Sequence, residues 1–493
     1  MTSRGVQLLC YADRLGGDLS GLRAILDGPL SDFGGVHLLP FFVPFDGADA
    51  GFDPVDHGTV DPRLGGWDDI RAIAGRREVT ADLIVNHVSS SSAEFADWLA
   101  RGEASEFDGM FLTFDRVFPH GGTEGDITGF YRPRPGLPFT PYEGLDGSRH
   151  LVWTTFMPSQ VDLDVRHPAA QGYLRRILRT LAQAGVGVVR LDAVGYAIKT
   201  PGSDSFMTEE TLGFVREITA MAHEEGLRVL VEVHAHYTQQ LAIAPLVDLV
   251  YDFALPPLLL HSLGTGTAGK LAEWLEVRPR NAIVVLDTHD GIGVIDAGPS
   301  GQRPGLISQE QMADVFARAE RATGGHSAIA SVVPAWAQLP HQINATFFSV
   351  LGGDLDAYLL ARAVQLWVPG EPQLYYVGLL GGLDDVGLFE RTGNGRDVNR
   401  HVYTPAELAA ALESTVTRAQ LGLVRLRSSH PAFAGEFGYR VMAEDRIELS
   451  WTNGEARARL AVVFHPEHPS FRIEATDGSV TRVAATPREL ADL

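Results

Sequence analysis

Short runs of apolar and β-branched residues recur along the chain, and segments of helical periodicity lie between them. Such alternation is typical of a parallel sheet whose strands are joined by helices. We count eight such strand–helix units, the number needed to close a (β/α)8 TIM barrel, which is an α/β fold. We predict its strands at 6–11, 35–39, 81–86, 186–191, 228–232, 249–252, 282–286 and 373–376.

The spacing of the predicted strands is uneven in two places. About a hundred residues separate the third strand from the fourth, which is too long for a plain barrel loop and predicts an inserted small domain. A second long segment follows the seventh strand, and we expect it to form a lid over the barrel mouth. Near the end of the chain, alternating strands with turns at Asn453-Gly454 and Asp477-Gly478 predict a β-domain. The expected barrel segments are 1–86, 166–290 and 345–434, with insertions at 87–165 and 291–344 and the β-domain at 435–493.

Composition narrows the class of protein. The 493 residues are 45% hydrophobic, enough for a large core, and the formal net charge of −22 argues against nucleic acid or anionic membrane as a partner. With only two lysines, Lys199 and Lys270, a pocket for an anionic substrate would use arginine, histidine or backbone N–H groups. The first residues lack the pattern of a signal peptide, and long apolar runs are missing, so we expect a soluble cytoplasmic protein. Composition predicts no oligomeric state.

Polar side chains follow four of the predicted strands at the point where each strand ends. Because the loops after the carboxyl ends of barrel strands form one shared mouth, these side chains are expected to meet there. A single Asp or Asn at a strand end is often only a turn or cap residue, but four groups at one rim predict a shared site. The groups are Asn86 with His87, Arg190 with Asp192, Glu232 with His234, and Asp287 with His289 and Asp290.

The chemistry of these groups suits transfer of a sugar. Arg190 and Asp192 are two positions apart on an extended strand, so their side chains share one face. A neighbouring guanidinium is expected to lower the pKa of Asp192, as a carboxylate nucleophile needs. Glu232 on the adjacent strand faces the same cavity. Two carboxyls about 5–5.5 Å apart suit a retaining mechanism, in which one attacks the anomeric carbon and the other protonates the leaving oxygen.

These motifs resemble the signature regions of the α-amylase clan, glycoside hydrolase family 13, and nearly the whole chain resembles its sucrose phosphorylase subfamily. The resemblance implies reversible phosphorolysis: glucose passes from a glucoside to the enzyme and then to phosphate, which gives α-D-glucose 1-phosphate. It implies small-molecule substrates and no metal or organic cofactor. The likeness runs through residues 7–14, 39–53, 131–140, 190–196, 251–260, 286–293 and 394–401.

The resemblance also implies roles for individual residues. Asp192 would be the nucleophile, Glu232 the general acid and base, and Asp290 the carboxylate that stabilises the oxocarbenium-like transition state. The glucose unit would be held by charged and amide groups and by aromatic walls. These substrate-binding residues would be Asp49, Phe52, His87, Phe156, Gln160, Arg190, His234, His289 and Arg396.

The chain departs from the subfamily pattern on the leaving-group side, in residues 337–344. Sucrose phosphorylases resemble Leu-Asp-Leu-Tyr-Gln there, with an Asp that binds fructose. This chain keeps the glutamine as Gln342, but Leu339 replaces the Asp and His341 replaces the Tyr. Because an acidic residue is lost and a histidine is gained, the pocket is expected to repel an anion less strongly. Arg134 is expected to face the same space. The loop therefore favours sucrose 6-phosphate as the substrate, with fructose 6-phosphate leaving.

Other functions use the same carboxylates. Unphosphorylated sucrose, glucosylglycerate and glucosylglycerol are alternative glucosides for a phosphorylase. Hydrolysis and transglucosylation differ only in whether water or another sugar takes the glucose. A catalytically inactive binding protein on the same barrel is a further alternative, and the joint presence of Asp192, Glu232 and Asp290 argues against it.

Overall fold

The computed structural model describes residues 5–47, 49–132, 136–331, 333 and 339–493. Eight parallel strands form a closed barrel in chain order, and the last strand pairs with the first. The predicted (β/α)8 barrel and its eight strands are confirmed. The strands are β1 (Gln7–Cys10), β2 (Gly35–Leu38), β3 (Glu78–Ile84), β4 (Val188–Asp192), β5 (Arg228–Val231), β6 (Leu249–Asp252), β7 (Ala282–Val284) and β8 (Glu371–Tyr375).

A helix follows each barrel strand and packs its apolar face on the sheet. Several begin at a side chain that caps the first turn: Asp18 accepts a hydrogen bond from the Gly21 N–H, and Thr208 accepts one from the Thr211 N–H. In strand order the helices are Leu19–Asp27, Trp67–Ala74, Pro168–Gln183, Glu209–Glu224, Tyr237–Ile243, Leu255–Thr265, Leu355–Trp367 and Thr415–Ser429. Further helices are Ala12–Gly16, Ala93–Arg101, Phe114–Val117, Glu124–Thr128, Gly269–Val277, Gln309–Ala322, His326–Ala330, Phe347–Val350, Tyr376–Leu379, Val386–Thr392, Pro405–Leu412 and Pro487–Ala491.

Alternation along the barrel strands brings the polar groups to the mouth. On β4, Val189 and Leu191 belong to the main core shared with the helices, whereas Val188 belongs to a separate apolar cluster with residues such as Leu230. Since side chains on a strand point alternately to opposite faces, Arg190 and Asp192 follow Val188 on the inner face. The inner face of β4 is therefore apolar at its start and charged at its end.

Two insertions cover the carboxyl ends of the barrel strands. The first contains the strands His87–Ser89, Phe139–Glu143, Arg149–Trp153 and Gln160–Asp162 and has a small core of its own around Trp153. In the second, Ile292–Gly293 pairs with Gln342–Ile343 in antiparallel fashion, and helix Gln309–Ala322 lies between them in the chain. A further short pair, Phe42–Val43 with Asp56–Val60, follows β2. The exact domain boundaries stay predictions.

The last part of the chain is the predicted β-domain, an antiparallel sheet of five strands in sequence order. Gly454 and Gly478 adopt positive φ angles of 60° and 98° in its hairpin turns, which confirms both predicted turns. The Trp451 indole N–H donates to the Trp367 carbonyl at 2.6 Å and ties the sheet to a barrel helix. Within the described residues, we find no helix with the length and apolar character needed to span a membrane. The strands are β9 (Glu436–Ala443), β10 (Arg446–Asn453), β11 (Ala456–Val463), β12 (Ser470–Thr476) and β13 (Thr481–Ala484).

Candidate active site

A cavity of about 460 Å³ opens at the carboxyl ends of the barrel strands. Strand ends and both insertions supply its wall, as expected when the loops after barrel strands share one mouth. Most of the predicted site residues meet there. The wall includes Asp49, Phe52, His87, Phe156, Asp192, Glu232, His234, His289, Asp290, His341, Gln342 and Arg396.

Arg190 lies behind this wall and is only 1% exposed. Its Nη1 lies 3.0 Å from Asp192 Oδ1 and 2.5 Å from Asp82 Oδ1, and its Nη2 lies 2.8 Å from Glu232 Oε1. The strands determine this arrangement, because Asp82 on β3 is in register with Arg190 on β4. One buried guanidinium therefore holds three carboxylates in fixed positions, as its planar set of donors allows.

Asp192 ends β4 at a sharp change of chain direction. Ala193, the next residue, has a left-handed φ of +53°, a conformation that costs energy for a residue other than glycine. A short 3-10 helix, Val194–Tyr196, follows at once. The strand therefore stops at Asp192 and leaves its carboxylate in the cavity wall.

The pKa of Asp192 differs from the sequence expectation. Burial raises it well above the ordinary value; Arg190 opposes this shift, while the charges of Glu232, Asp82 and Asp290 add to it. The predicted lowering of the Asp192 pKa is therefore wrong. A single guanidinium shared among several carboxylates does not offset the cost of burying the Asp192 charge.

Asp290 has the opposite environment. Its Oδ1 lies 2.8 Å from Arg396 Nη1, 3.5 Å from His289 Nε2 and 3.6 Å from Arg400 Nη2. Burial alone would raise the pKa of Asp290, but the charges of Arg396, His289, Arg400 and Arg190 hold it well below its usual range. Asp290 is therefore a permanent anion in the wall of the cavity.

Aromatic rings and imidazoles form the side of the cavity next to these carboxylates. Phe52 stacks on His289 with ring centroids 5.0 Å apart and an interplanar angle of 5°. His87 Nε2 lies 3.0 Å from the Phe52 carbonyl oxygen, and its ring is 5.3 Å from that of Phe156. Flat apolar faces next to charged acceptors suit a sugar ring, which is apolar on one face and carries hydroxyls at its edge.

Gln160, like Arg190, lies behind the lining rather than in it. Its side chain is completely buried, and its Nε2 donates to Asp49 Oδ2 at 3.5 Å. Its Oε1 accepts from the Met157 N–H at 3.1 Å. Gln160 thus holds Asp49, which does line the cavity, and its own contact with substrate stays a prediction.

The opposite side of the cavity comes from the insertions and loops. The rings of Tyr131 and His341 are parallel, with centroids 6.0 Å apart, and the Tyr131 hydroxyl lies 3.4 Å from His341 Nδ1. Burial lowers the pKa of His341, and the charge of His234 acts in the same direction. Gln342 Nε2 donates to the Asp290 carbonyl at 2.6 Å, which ties this loop to the carboxylates.

Two further residues were predicted to shape the leaving-group side. Arg134 lies outside the described residues. Leu339, which was expected to replace the Asp of sucrose phosphorylases, is half-buried and packs against the main apolar core. It is not one of the residues that line the cavity.

Several wall residues were missed by the sequence analysis. Tyr131 and Tyr196 stand inside motifs that carried the family resemblance, so a signal existed that was not used. Phe206 comes from an irregular loop with no periodic pattern, and its ring lies 4.7 Å from Tyr131 and 4.8 Å from Tyr196. Asn344 also lines the cavity, and its side-chain amide donates to the Ala330 carbonyl at 2.7 Å.

Ligand atoms of Glu232, His234 and Asp290 lie within 4.8 Å of one another, close enough to share a metal ion. However, Arg190 lies 2.8 Å from Glu232 and Arg396 lies 2.8 Å from Asp290. A divalent cation would compete with two guanidinium groups for these carboxylates. The arrangement fits hydrogen bonding to a polyhydroxylated ligand better than it fits a metal centre.

Comparisons with known proteins agree with this geometry. The family described as alpha amylase, catalytic domain, matches residues 5–242. The chain is 50% identical to a sucrose phosphorylase from Agrobacterium vitis over 93% of this chain and 95% of that protein. It is 45% identical to a sucrose phosphorylase from Bifidobacterium adolescentis, over 94% and 92%.

A solved structure is similar over the full length of the chain. The sucrose 6F-phosphate phosphorylase from Thermoanaerobacter thermosaccharolyticum superposes with a TM-score of 0.91 at 34% identity and covers 99% of each chain. These likenesses extend across the barrel, both insertions and the β-domain. With the carboxylate cluster at the strand ends, they show that the chain belongs to glycoside hydrolase family 13, in the sucrose phosphorylase subfamily of glycosyltransferases.

Proposed function

We propose that this glucoside phosphorylase converts sucrose 6-phosphate and phosphate into α-D-glucose 1-phosphate and fructose 6-phosphate, through a glucosyl group covalently bound to Asp192. The observation that carries the mechanism is the contact of Arg190 with both Asp192, at 3.0 Å, and Glu232, at 2.8 Å. One guanidinium thereby holds a nucleophile and a proton donor side by side. A cytoplasmic location, expected from the sequence, is part of the same proposal.

In the first displacement, Asp192 attacks the anomeric carbon while Glu232 gives its proton to the leaving oxygen. Positive charge develops on the sugar ring in the transition state. Asp290, whose pKa is held low by Arg396 and other cations, keeps its negative charge and stabilises that state. In the second displacement, an oxygen of hydrogen phosphate attacks the same carbon, the Glu232 carboxylate takes the phosphate proton, and Asp192 leaves as a carboxylate, which restores the starting enzyme.

The choice of fructose 6-phosphate as the leaving group rests on the loop that carries His341. His341 lines the cavity beside Tyr131, at the position where the loop of sucrose phosphorylases is expected to carry a tyrosine. Leu339 lacks the negative charge of the aspartate that, by the resemblance, binds fructose in sucrose phosphorylases. An imidazole at the wall and the loss of an acid near it both favour a phosphorylated sugar over a neutral one.

Unphosphorylated sucrose is the second candidate, and two observations favour it. The relatives that are 50% and 45% identical are both sucrose phosphorylases. In addition, burial lowers the pKa of His341, and a neutral imidazole is a weaker ligand for a phosphate group than a charged one. The two candidates share every chemical step and differ only in the leaving group.

The decisive experiment measures initial rates of glucose 1-phosphate release from sucrose 6-phosphate and from sucrose, each with inorganic phosphate. Free glucose is measured in parallel, and a phosphate-free control gives the rate of hydrolysis. We expect sucrose 6-phosphate to be used at least about tenfold better, the effect of one charge-assisted contact. Faster release from sucrose would establish the second candidate, and glucose without glucose 1-phosphate would identify a hydrolase instead.

A further inference from the structure

A column of hydrogen-bonded polar side chains crosses the inside of the barrel behind the cavity. It begins at Glu371, the first residue of β8, and ends at Asp82, the carboxylate that contacts Arg190. The column lies inside the barrel, because it links Tyr251 on β6 to His37 on β2, strands that are not neighbours in the sheet. Barrels of this kind are usually filled by apolar side chains, so a polar column calls for an explanation. Its members are, in order, Glu371, Gln7, Gln373, Tyr251, His37 and Asp82.

The carboxylate at the start of the column fixes the direction of the hydrogen bonds that follow. Glu371 forms an ion pair with Arg228 at 2.9 Å, so it is ionised and can only accept. The Gln7 amide must therefore direct its Nε2 at Glu371, 3.0 Å away, and its Oε1 along the column. That oxygen accepts from Gln373 Nε2 at 3.2 Å. The Gln373 Oε1 atom is left to accept from the Tyr251 hydroxyl at 3.4 Å.

His37 lies between acceptors on both of its ring nitrogens. Tyr251 has one hydroxyl proton, which Gln373 takes, so the Tyr251 oxygen presents a lone pair to His37 Nδ1 at 3.5 Å. On the other side, Asp82 Oδ2 lies 3.2 Å from His37 Nε2. Burial acts to raise the pKa of Asp82, but the charges of Arg190 and His37 lower it to about 2, so Asp82 is ionised. Both nitrogens of His37 must therefore carry a proton, which makes the ring an imidazolium cation.

A neutral His37 would leave a buried group of the column without a partner. If Tyr251 gave its proton to His37 Nδ1, Gln373 Oε1 would face a hydroxyl lone pair and stay an acceptor without a proton. If His37 carried its proton on Nδ1 alone, the lone pair of Nε2 would face the Asp82 carboxylate. Each of these arrangements costs free energy that the cation avoids, and the adjacent Asp82 anion favours the charged ring.

The charge of His37 bears on the catalytic carboxylates through Asp82. Arg190 Nη1 is shared between Asp82 Oδ1, at 2.5 Å, and Asp192 Oδ1, at 3.0 Å, so two anions compete for one donor. A charged His37 neutralises Asp82 through the other carboxylate oxygen, Oδ2. The positive charge of Arg190 is then left for Asp192 and Glu232.

We propose that His37 is a doubly protonated positioning residue that, through Asp82, keeps the charge and the donors of Arg190 available to the nucleophile. His37 is completely buried and is not one of the residues that line the cavity, so it acts only through its neighbours. The inference rests on the proposed role of Asp192 and is independent of which leaving group the enzyme accepts.

Neutron diffraction from crystals of the unaltered protein, grown in heavy water near neutral pH, tests the charge directly. We expect deuterium on both ring nitrogens of His37. His57 is the internal control, because it is also buried and its Nε2 lies 3.3 Å from the Asp82 carbonyl oxygen, but burial lowers its pKa to about 4. His57 should carry a single deuterium. A single deuterium on His37 as well would overturn the inference, and this measurement needs no variant to fold.

The variant His37→Gln tests the positioning role, since it removes the cation and keeps a donor for Asp82. Loss of a nearby positive charge disfavours the Asp192 anion, so the fall of kcat/KM on the acid side should move to higher pH by about one unit. A purely structural loss would lower kcat/KM by the same factor at every pH, and that result would overturn the inference. The charged groups that face Asp192 stay in place in this variant: Arg190, Glu232, Asp82 and Asp290.

The matched control is His57→Gln, which makes the same exchange at the other buried histidine beside Asp82 and removes no charge. Its pH profile should match that of the unaltered enzyme. Adding Asp82→Asn to His37→Gln removes the uncompensated anion, so the profile should return towards the unaltered one. An equal shift in His57→Gln, or no return in the double variant, would overturn the inference. Glucose release gives the same profile, so an unaltered enzyme that forms no glucose 1-phosphate would refute the proposed function alone.

Discussion

The two halves of the cavity are built on different principles. In the donor half, Asp192, Glu232 and Asp290 each have an arginine nitrogen within 3.0 Å. In the acceptor half, aromatic rings and a neutral imidazole predominate, and they come from loops and insertions. The acceptor half consists of Tyr131, Tyr196, Phe206, His341 and Gln342.

This difference indicates which substitutions each half of the cavity can tolerate. The stability of a buried ion pair depends on the positions of both partners, because removing one leaves the other charged and unsatisfied in a site of low dielectric constant. Ring stacking is less directional and allows exchange of one ring for another. Changes in the donor half should therefore abolish the reaction, and changes in the acceptor half should redirect it.

The largest effect is expected from Asp192→Asn, which removes the proposed nucleophile. The rate of glucose 1-phosphate formation should fall by about 10⁴-fold or more, as for other essential nucleophiles. Thermal unfolding checks that the protein is still folded, and Asp68→Asn, an exposed acid on helix Trp67–Ala74, is the control. Unchanged glucose 1-phosphate formation in Asp192→Asn would remove the assignment of the nucleophile.

The next effect concerns Arg190→Lys, which keeps the charge but loses the planar set of donors. A lysine cannot reach Asp82, Asp192 and Glu232 together, so we expect kcat/KM to fall by about 10²-fold, the loss for one or two buried charge-assisted hydrogen bonds. Arg179→Lys, on an exposed ion pair with Glu225, is the matched control. A loss of less than about threefold at position 190 would contradict the view that the donor half depends on fixed positions.

The dependence of kcat/KM on pH separates two carboxylates of the donor half. In the proposed mechanism Asp192 must be ionised to attack. Because its pKa is raised, activity should fall as the pH drops through that raised value, by about tenfold per pH unit. Asp290, with a lowered pKa, stays ionised over the same range. A rate that stays constant down to about pH 4, the ordinary range of an aspartate, would show that the Asp192 pKa is not raised in the free enzyme.

The smallest effect is expected in the acceptor half, from His341→Tyr. The ring contact with Tyr131 can persist, so total turnover should change less than about threefold, while preference for sucrose 6-phosphate over sucrose should fall about three- to tenfold. His341→Phe is the control for the new hydroxyl group. Complete loss of turnover in His341→Tyr would mean that the acceptor half is as exacting as the donor half.

The donor half could be predicted from the sequence because side chains on a strand alternate between its two faces. The spacing of two strand residues in the sequence therefore tells whether they share a face. Every second residue of β4 points to the inside of the barrel, so Val188, Arg190 and Asp192 share the inner face. Because β5 pairs with β4, the end of β5 lies beside Asp192. The sign of the Asp192 pKa shift could not be predicted in this way. It depends on how many buried carboxylates share one guanidinium, and strand spacing does not reveal that number.

The acceptor half could be predicted only in part. His341 and Gln342 were found because a motif aligned with them, whereas Phe206 meets Tyr131 only through the tertiary packing of two loops. The same holds for Asp296, which reaches His234 across 62 positions of the chain without any local pattern. Contacts of this kind are decided by packing, so local sequence rules carry no information about them.

The closure of the barrel also has a consequence for the order in which the site forms during synthesis. β1 pairs with β8, so Gln7 lies beside Gln373. Until β8 is made, β1 and β7 are open sheet edges, which can pair with other chains and aggregate. Because the two strands are far apart in the chain, β1 keeps this open edge until residues 371–375 have been synthesised. Arg396, the partner of Asp290, lies beyond β8, so the donor half is complete only when more than three quarters of the chain has been synthesised.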